Sequence, residues 1–248
     1  MARFYLIRHA QSANNAIWDG SDFHVARHPD PEITETGHAQ ARALADYLTH
    51  PESEPRQHPF VRSPVSSHGL THIYCSLMTR SIQTAEYIGA ACGLRVEALA
   101  DTFEKHGIYE FDANQERRGL PGQSRADFER RFPGLDLPAD MNADGWWNRP
   151  AEDEPGFLDR MGSVVSRFRE QLRNSEAVVA LVAHGDFIDQ FINELMAVDR
   201  CPQNYDAHWF ANWTFHNTSI SRIDFIEGAY SVVYLNKIDH LSPDLVTW

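Results

Sequence analysis

Three short apolar runs constrain this chain more than any other feature: FYLI at residues 4–7, THIYC at 71–75 and AVVALVA at 177–183. Each is shorter than an ordinary helix and bounded by polar residues, so each is expected to be a strand buried on both faces. Helical spacing follows every one of them. After the first, Thr34 is the expected N-cap of a helix carrying Ala41, Leu44, Ala45 and Leu48. After the second, Ile82, Ala85, Ile88 and Cys92 mark a helix that stops before Gly93, and after the third come Phe187, Phe191, Ile192 and Leu195. Another stripe, Leu158, Met161, Val165, Phe168 and Leu172, precedes the third run. Strands alternating with helices predict an α/β fold, a three-layer α/β/α sandwich with a mostly parallel central sheet.

The remaining segments fit around that frame. Residues 95–98 read as a short strand, and 220–226 and 230–235 as two strands joined by a turn at Glu227 and Gly228. Proline, serine and histidine make 51–69 an exposed loop. From Asp101 to about Pro155 the periodicity is lost, apart from 125–132, and the stretch is expected to be an inserted cap or lid of about 101–155. At 248 residues, one domain over 1–248 with that insertion accounts for the whole chain.

With 22 Lys+Arg against 35 Asp+Glu, the formal charge of −13 argues against nucleic acid or an anionic membrane as the main partner. An anionic ligand therefore needs a local basic pocket. Cys75, Cys92 and Cys201 are three widely separated cysteines without a CxxC pair, which suggests neither a disulfide framework nor a thiolate metal site and fits a reducing compartment. The chain enters its first strand without an apolar signal segment, and no run approaches the ~18 apolar residues of a membrane helix, so a cytoplasmic protein is expected. Oligomeric state is not readable.

In open α/β sheets ligands collect beyond the carboxyl ends of the strands. The first run ends in Arg8 and His9, the second in Ser76 with Arg80 four residues on, and the third in His184, Gly185 and Asp186. Any one of these residues alone would be an unremarkable surface group. Two arginines and two histidines at one sheet edge are not: guanidinium forks match phosphate oxygens, imidazoles donate or attack, and helix N-termini add backbone N–H groups. The sum is a site for a phosphoryl group.

These residues resemble the histidine phosphatase superfamily, also called the phosphoglycerate-mutase-like family. RHAQSANN presents Arg8, His9, Ser12 and Asn15 where the family has Arg-His-Gly, Ser and Asn, with Ala10 in place of the usual glycine and Gln11 in place of glutamate. EITETGHAQA is similar to Leu-Thr-x-x-Gly-x-x-Gln-Ala through Thr34, Gly37, Gln40 and Ala41, SLMTRSIQTAE to Ser-x-x-x-Arg-x-x-Gln-Thr-Ala, and VAHGDFI to the His-Gly segment. The resemblance implies that His9 is a nucleophile forming a covalent phosphohistidine, and that Arg8, Arg80 and His184 clamp the phosphoryl oxygens. It further implies Asn15 and Gly185 as auxiliary donors, Ser12 as a weaker one, and neither metal nor other cofactor.

An alkoxide leaving group needs a proton, and the same acid then activates water. The family carries this group as a glutamate after its third strand. Glu104 stands in that place, although Gly107 follows it one residue sooner than in many members, and Asp101 and Glu110 remain competitors. Asp186 reads as the N-cap of the helix beginning at Phe187. Arg117 and Arg118 offer a basic pair that could steer an anion, Trp146 and Trp147 fill a core or wall a pocket, and His24 and His28 lack the helix an HxxxH metal site needs. The expected activity is metal-independent hydrolysis of a small phosphorylated substrate. A phosphoglycerate-type mutase and a non-catalytic phospho-ligand binding protein are the rivals; the mutase branch's arginine-tyrosine-glycine stretch is absent after Glu104.

Overall fold

The computed structural model describes residues 1–17, 27–50, 68–198, 212–226 and 228–248. Most of the loop expected at 51–69, along with His24, Cys201 and Glu227, lies outside the described residues. The three apolar runs are strands β1 (Ala2–Arg8), β2 (His72–Ser76) and β7 (Val178–Ala183). Among the described residues, seven strands make one sheet in the order β6-β3-β2-β7-β1-β8-β9. Here β3 is Val96–Leu99, β6 Leu135–Asp136, β8 Ile220–Ile226 and β9 Ala229–Lys237. The five strands from β6 to β1 run parallel, while β8 and β9 pair antiparallel as the expected tail hairpin, with Gly228 at φ 84° in its turn.

Strand alternation divides the core. Tyr5 and Ile7 of β1 face one side with Leu44, Leu48, Ile82, Ala85 and Ile88, which come from helices α2 (Glu35–Thr49) and α3 (Thr79–Cys92). Ala2, Phe4 and Leu6 face the other side, against Phe157, Met161, Phe168, Phe187 and Phe191 of α5 (Glu154–Leu172) and α6 (Gly185–Val198). That gives the three-layer sandwich, with β1 and β7 neighbours at its centre. Thr34 caps α2 by accepting from Gly37 N, and α3 ends on Gly93 in the left-handed conformation at φ 66°.

Two boundaries differ from expectation. Residue 155 is not the end of an irregular stretch: Asp153 caps α5 and Pro155 lies in its first turn, a position that suits proline's fixed φ and missing N–H. Asp186 is not an N-cap, because α6 starts at Gly185, two residues before the expected Phe187, and Ile188 N already bonds to His184 O. The inserted stretch also holds more regular structure than its composition suggested. It contains a hairpin of β4 (Tyr109–Phe111) and β5 (Arg117–Gly119), the one-box-capped helix α4 (Arg125–Arg131), and β6, which extends the main sheet. Trp146 and Trp147 are buried with Phe103 in the first core cluster, the Phe103–Trp147 rings 4.7 Å apart and near perpendicular.

Packing of α2 fixes the loop after β1. Thr34 N donates to Gln11 O, Gln11 N donates to Gln40 Oε1, and Gln40 Nε2 donates in turn to Leu245 O and Thr247 Oγ1 of the tail. Gly37 lies so close to this loop that a Cβ would overlap the Gln11 carbonyl oxygen. Gly37→Ala is therefore expected to destabilise the fold by about 1–3 kcal/mol through overpacking. Thermal unfolding should show it as a loss of several degrees, whereas Gly134→Ala, where nothing lies within 4 Å of the added methyl, should leave the midpoint unchanged.

Candidate active site

The carboxyl edge of the central strands brings Arg8, His9, Arg80, Glu104 and His184 together. His9 is 3% exposed and continues the β1 ladder through its N–H to Ala183 O. Its Nδ1 lies 2.7 Å from Ala10 O, and a carbonyl only accepts, so Nδ1 carries the ring proton. Its Nε2 accepts from Arg80 Nε at 3.0 Å. Both contacts select the neutral tautomer with a lone pair on Nε2. Burial, reinforced by Arg80 and Arg8, holds the His9 pKa well below 6.5, so the ring stays neutral throughout the physiological range.

The backbone around His9 is fixed from several sides. Asn217 Nδ2 and Thr218 N both donate to His9 O, at 3.1 and 3.3 Å, and Thr84 Oγ1 accepts from Ala10 N at 3.0 Å. Ala10 takes its place without difficulty: its backbone has no positive φ, and its methyl group is buried with Ile33 and Ala41 in a small cluster of its own. Thr84 also donates to Arg80 O, and Gln83 Oε1 accepts from Ile33 N, so α3 carries Arg80 and holds both adjoining loops.

Arg8 Nη1 donates to Phe215 O, while its Nε is buried with no partner among the described residues. His184 is wholly buried; Nε2 lies 2.7 Å from Ser76 Oγ, and Nδ1 has no partner among the described residues. Burial first, then Arg80, keeps His184 neutral by pushing its pKa well below 6.5. Burial also lowers Arg8 to about 10, which leaves it charged at neutral pH. Two buried nitrogens without partners among the described residues, beside the basic Nε2 of His9, are suited to the oxygens of a phosphoryl group.

Glu104 caps the helix that starts at Gly185. Its Oε1 accepts from Phe187 N at 3.1 Å and from Lys105 N at 2.9 Å, and its Oε2 accepts from Asp186 N at 3.4 Å. Desolvation of the carboxyl, then the nearby charge of Asp186, raises its pKa to about 7 against the opposing pull of Arg80 and Arg8. That is the range in which an acid works both ways at neutral pH. The competing carboxylates are engaged elsewhere: Asp101 accepts twice from Arg167 at 2.8 Å, and Glu110 accepts from Arg118 Nε at 3.0 Å.

Of the auxiliary donors, Ser12 is turned inward. It is 2% exposed, and its N and Oγ both donate to Asn15 Oδ1, closing a capping box on the one-turn helix α1 (Ala13–Ala16). This is a structural role, in line with what serine does in turns. Asn15 stays close to the nucleophile, since Asn217 Nδ2 reaches its Oδ1 at 3.5 Å. A Cβ on Gly185 would lie 3.6 Å from Arg8 Nε, which puts that backbone against the clamp. His28 Nδ1 accepts from Asp30 N in a turn, and no cluster of metal-binding side chains occurs among the described residues.

Asp30, Gln123, Asn217 and Thr218 are not marked by the sequence as site residues, and Ser76, marked there as the end of its strand and the start of its motif, gains a role only through its contact with His184. Asp30 accepts from Thr79 N and Thr79 Oγ1, at 2.9 and 2.6 Å, and so caps α3 one residue before Arg80. Gln123 of the insertion donates to both Asp30 Oδ2 and Thr79 Oγ1. The signal for Asp30 is its place shortly before the Thr34 cap; no local pattern marks Gln123, Asn217 or Thr218.

The sequence profile of the histidine phosphatase superfamily (branch 1) matches residues 4–238. A curated relative, the probable phosphoglycerate mutase GpmB of Photorhabdus laumondii, is 23% identical over 235 residues, covering 91% of this chain and 86% of the relative. A solved phosphoserine phosphatase mutant from Entamoeba histolytica in complex with phosphoserine is similar at a TM-score of 0.55 and 18% identity, covering 98% of this chain and 100% of that one. The α-ribazole phosphatase of Shigella flexneri is similar at 0.56 and 17%, covering 95% and 96%. At these identities the likeness between structures is one of fold.

Because a like charge disfavours ionisation, Asp186→Asn should lower the Glu104 pKa below about 7. Carbon-detected NMR titration of labelled glutamate measures this directly, and an unmoved value would contradict the assignment of Asp186 as a cause. The folded-state pKa lies above the ordinary 4.5. Glu104 thus favours the folded state at low pH, and that contribution is lost as pH rises towards 7.

Proposed function

The chain belongs to the histidine phosphatase superfamily, branch 1, and from that premise we propose that it is a metal-independent phosphomonoesterase working through a covalent phosphohistidine on His9. The observation that carries this reading is the tautomer of His9: Nδ1–H tied to Ala10 O, and Nε2 left basic beside Arg80. A buried imidazole held neutral, with its lone pair at the mouth of a cationic cluster, is an activated nucleophile.

In this mechanism the phosphoryl oxygens take the donors of Arg8, Arg80 and His184, with Arg80 Nε passing from His9 to the substrate. Nε2 of His9 forms a bond to phosphorus as the ester P–O bond breaks, and the leaving alkoxide takes the proton of Glu104. The carbonyl of Ala10 then stabilises the positive charge on the phosphorylated ring through Nδ1–H. Water enters on the side the alcohol left, and its oxygen bonds to phosphorus as Glu104 takes its proton; the P–Nε2 bond breaks with its electron pair returning to Nε2, and inorganic phosphate departs. The guanidinium groups of Arg8 and Arg80 and the free ring nitrogen of His184 stabilise the charge of each transition state without a metal. The insertion of residues 101–155 supplies Glu104 and, through Gln123, grips the loop at Asp30, which suits it to act as a cap over the substrate.

The name of the mutase relative favours a second reading, in which the phosphoenzyme passes its phosphate to another hydroxyl instead of water. The two differ only in the acceptor.

Purified protein should release phosphate from an aryl phosphate in the presence of EDTA, and His9→Ala should abolish that release; equal activity in the mutant contradicts the covalent route. For an alkyl phosphate, kcat/KM should rise through the substrate's own second ionisation near ~6. It should fall again above pH about 7, as Glu104 loses its proton. That alkaline limb should vanish in Glu104→Gln and be absent with a good leaving group. Uniform slowing of both substrates across the pH range would assign the acid elsewhere.

A further inference from the structure

The turn that holds the backbone of His9 carries a residue that its geometry disfavours. Residues 216–219 make a turn closed by Ser219 N donating to His216 O at 3.1 Å, and Thr218, the third residue, has φ 58°. Positive φ at that position suits glycine or asparagine, and a β-branched side chain in the left-handed region is a steric outlier. Among the described residues, Thr218 is the only β-branched residue with positive φ. The strained conformation brings Thr218 N to Arg8 O at 3.1 Å and to His9 O at 3.3 Å, where β1 ends.

Glycine would make the same backbone contacts without strain, so what the strain retains is the threonine side chain. Its hydroxyl is buried and donates to Asn217 O at 2.7 Å. That bond uses the only hydroxyl proton, so at the 3.2 Å contact with His240 Nε2 the oxygen accepts and Nε2 carries the ring proton. His240 follows β9, and its ring centre lies 5.5 Å from that of Tyr47 on α2. Burial lowers its pKa to about 4 against the opposing pull of Asp239, so the imidazole is a neutral donor at neutral pH. The proposed chemistry leaves this histidine unused.

We propose that His240 is a positioning residue for His9: its Nε2–H, through the Thr218 hydroxyl, braces a strained turn whose amide fixes the carbonyls of Arg8 and His9. The peptide between His9 and Ala10 is held at its other end by Thr84, and the next carbonyl, Ala10 O, accepts from His9 Nδ1. A turn relaxed towards negative φ withdraws Thr218 N from His9 O, tilts that peptide and weakens the bond that keeps Nε2 basic. The Arg8 side chain is anchored outside the turn, by Phe215 O. Loss of the brace therefore impairs attack more than phosphoryl binding. The proposal rests on the reading of His9 as nucleophile and deepens it.

Two substitutions separate the donor from the ring. His240→Gln keeps an N–H near the place of Nε2 and loses the ring, whereas His240→Phe keeps the ring against Tyr47 and loses the donor. In single turnovers of an aryl phosphate, His240→Phe should slow phosphoenzyme formation about tenfold or more, the scale of a small misplacement of reacting groups. His240→Gln should stay within about threefold of wild type, and calorimetric affinity for sulfate should change less than about threefold in either variant. The reverse order, equal rates in the two variants, or a loss confined to sulfate affinity assigns His240 to packing and overturns the proposal. In a Thr218→Gly background, which lacks both hydroxyl and strain, His240→Phe should slow the reaction no further; a second loss of the same size overturns it too. Nitrogen-15 NMR reads the brace without turnover. Exchange of the His9 Nδ1–H with water should quicken about tenfold or more in His240→Phe and keep its wild-type rate in His240→Gln. That pattern in a protein that hydrolyses no ester would retire the phosphatase reading and leave the brace standing. Unchanged exchange in both variants overturns the brace whatever the turnover.

Discussion

Everything at the site is arranged around one imidazole that must be buried, neutral and correctly protonated at once. The hydrogen bond from His9 Nδ1 to Ala10 O decides which nitrogen is basic, and the ring sits next to two arginines that oppose its protonation. Such a bond is short-range and needs a backbone that does not move. Hence the carbonyl of His9 is held by Asn217 and Thr218, the amide of Ala10 by Thr84, and the amide and carbonyl of Gln11 by Gln40 and Thr34. His9 is positioned by α2, α3 and the C-terminal tail together.

The same economy governs the two helices that point at the site. An N-terminus facing a phosphoryl group is useful only if its spare N–H groups are fixed, and both are capped by carboxylates from distant segments. Asp30 caps α3 at Thr79, and Glu104 caps α6 at Asp186 and Phe187. Glu104 is thereby held within the field of Arg8 and Arg80 while its desolvation raises its pKa to about 7. A carboxyl that caps a helix start also sits in the field of the helix dipole. Ser76 extends the pattern, anchoring one nitrogen of His184 from the end of β2 and leaving the other for a ligand.

What was legible in the sequence was what depends on short-range pattern. The strands at FYLI, THIYC and AVVALVA declare themselves by unbroken apolar character, because a central parallel strand is covered on both faces. The residues that follow them fall at one sheet edge by topology alone. The helix start at Asp186 was misread by two residues, since a helix that begins on Gly185 borrows its cap from Glu104 and shows no local capping signal. Ser12 offered a hydroxyl beside the nucleophile, but its own capping box with Asn15 consumes it. Ala10 looked awkward only while the direction of its methyl group was unknown. The insertion was least readable: its three short strands and buried tryptophans depend on partners far away in sequence, such as β3 and Phe103. Asp30, Gln123, Asn217 and Thr218 act through contacts of the same long-range kind.

The central claim is that neutral His9 attacks phosphorus through Nε2. Rapid acid-free quenching during turnover of an aryl phosphate, followed by phosphorus NMR of the denatured protein and peptide mapping, identifies the phosphorylated atom directly. The account predicts an acid-labile, alkali-stable phosphohistidine on His9, bonded at Nε2. Phosphorylation at Nδ1, or hydrolysis at full rate with no phosphorylated protein at any time, would contradict it.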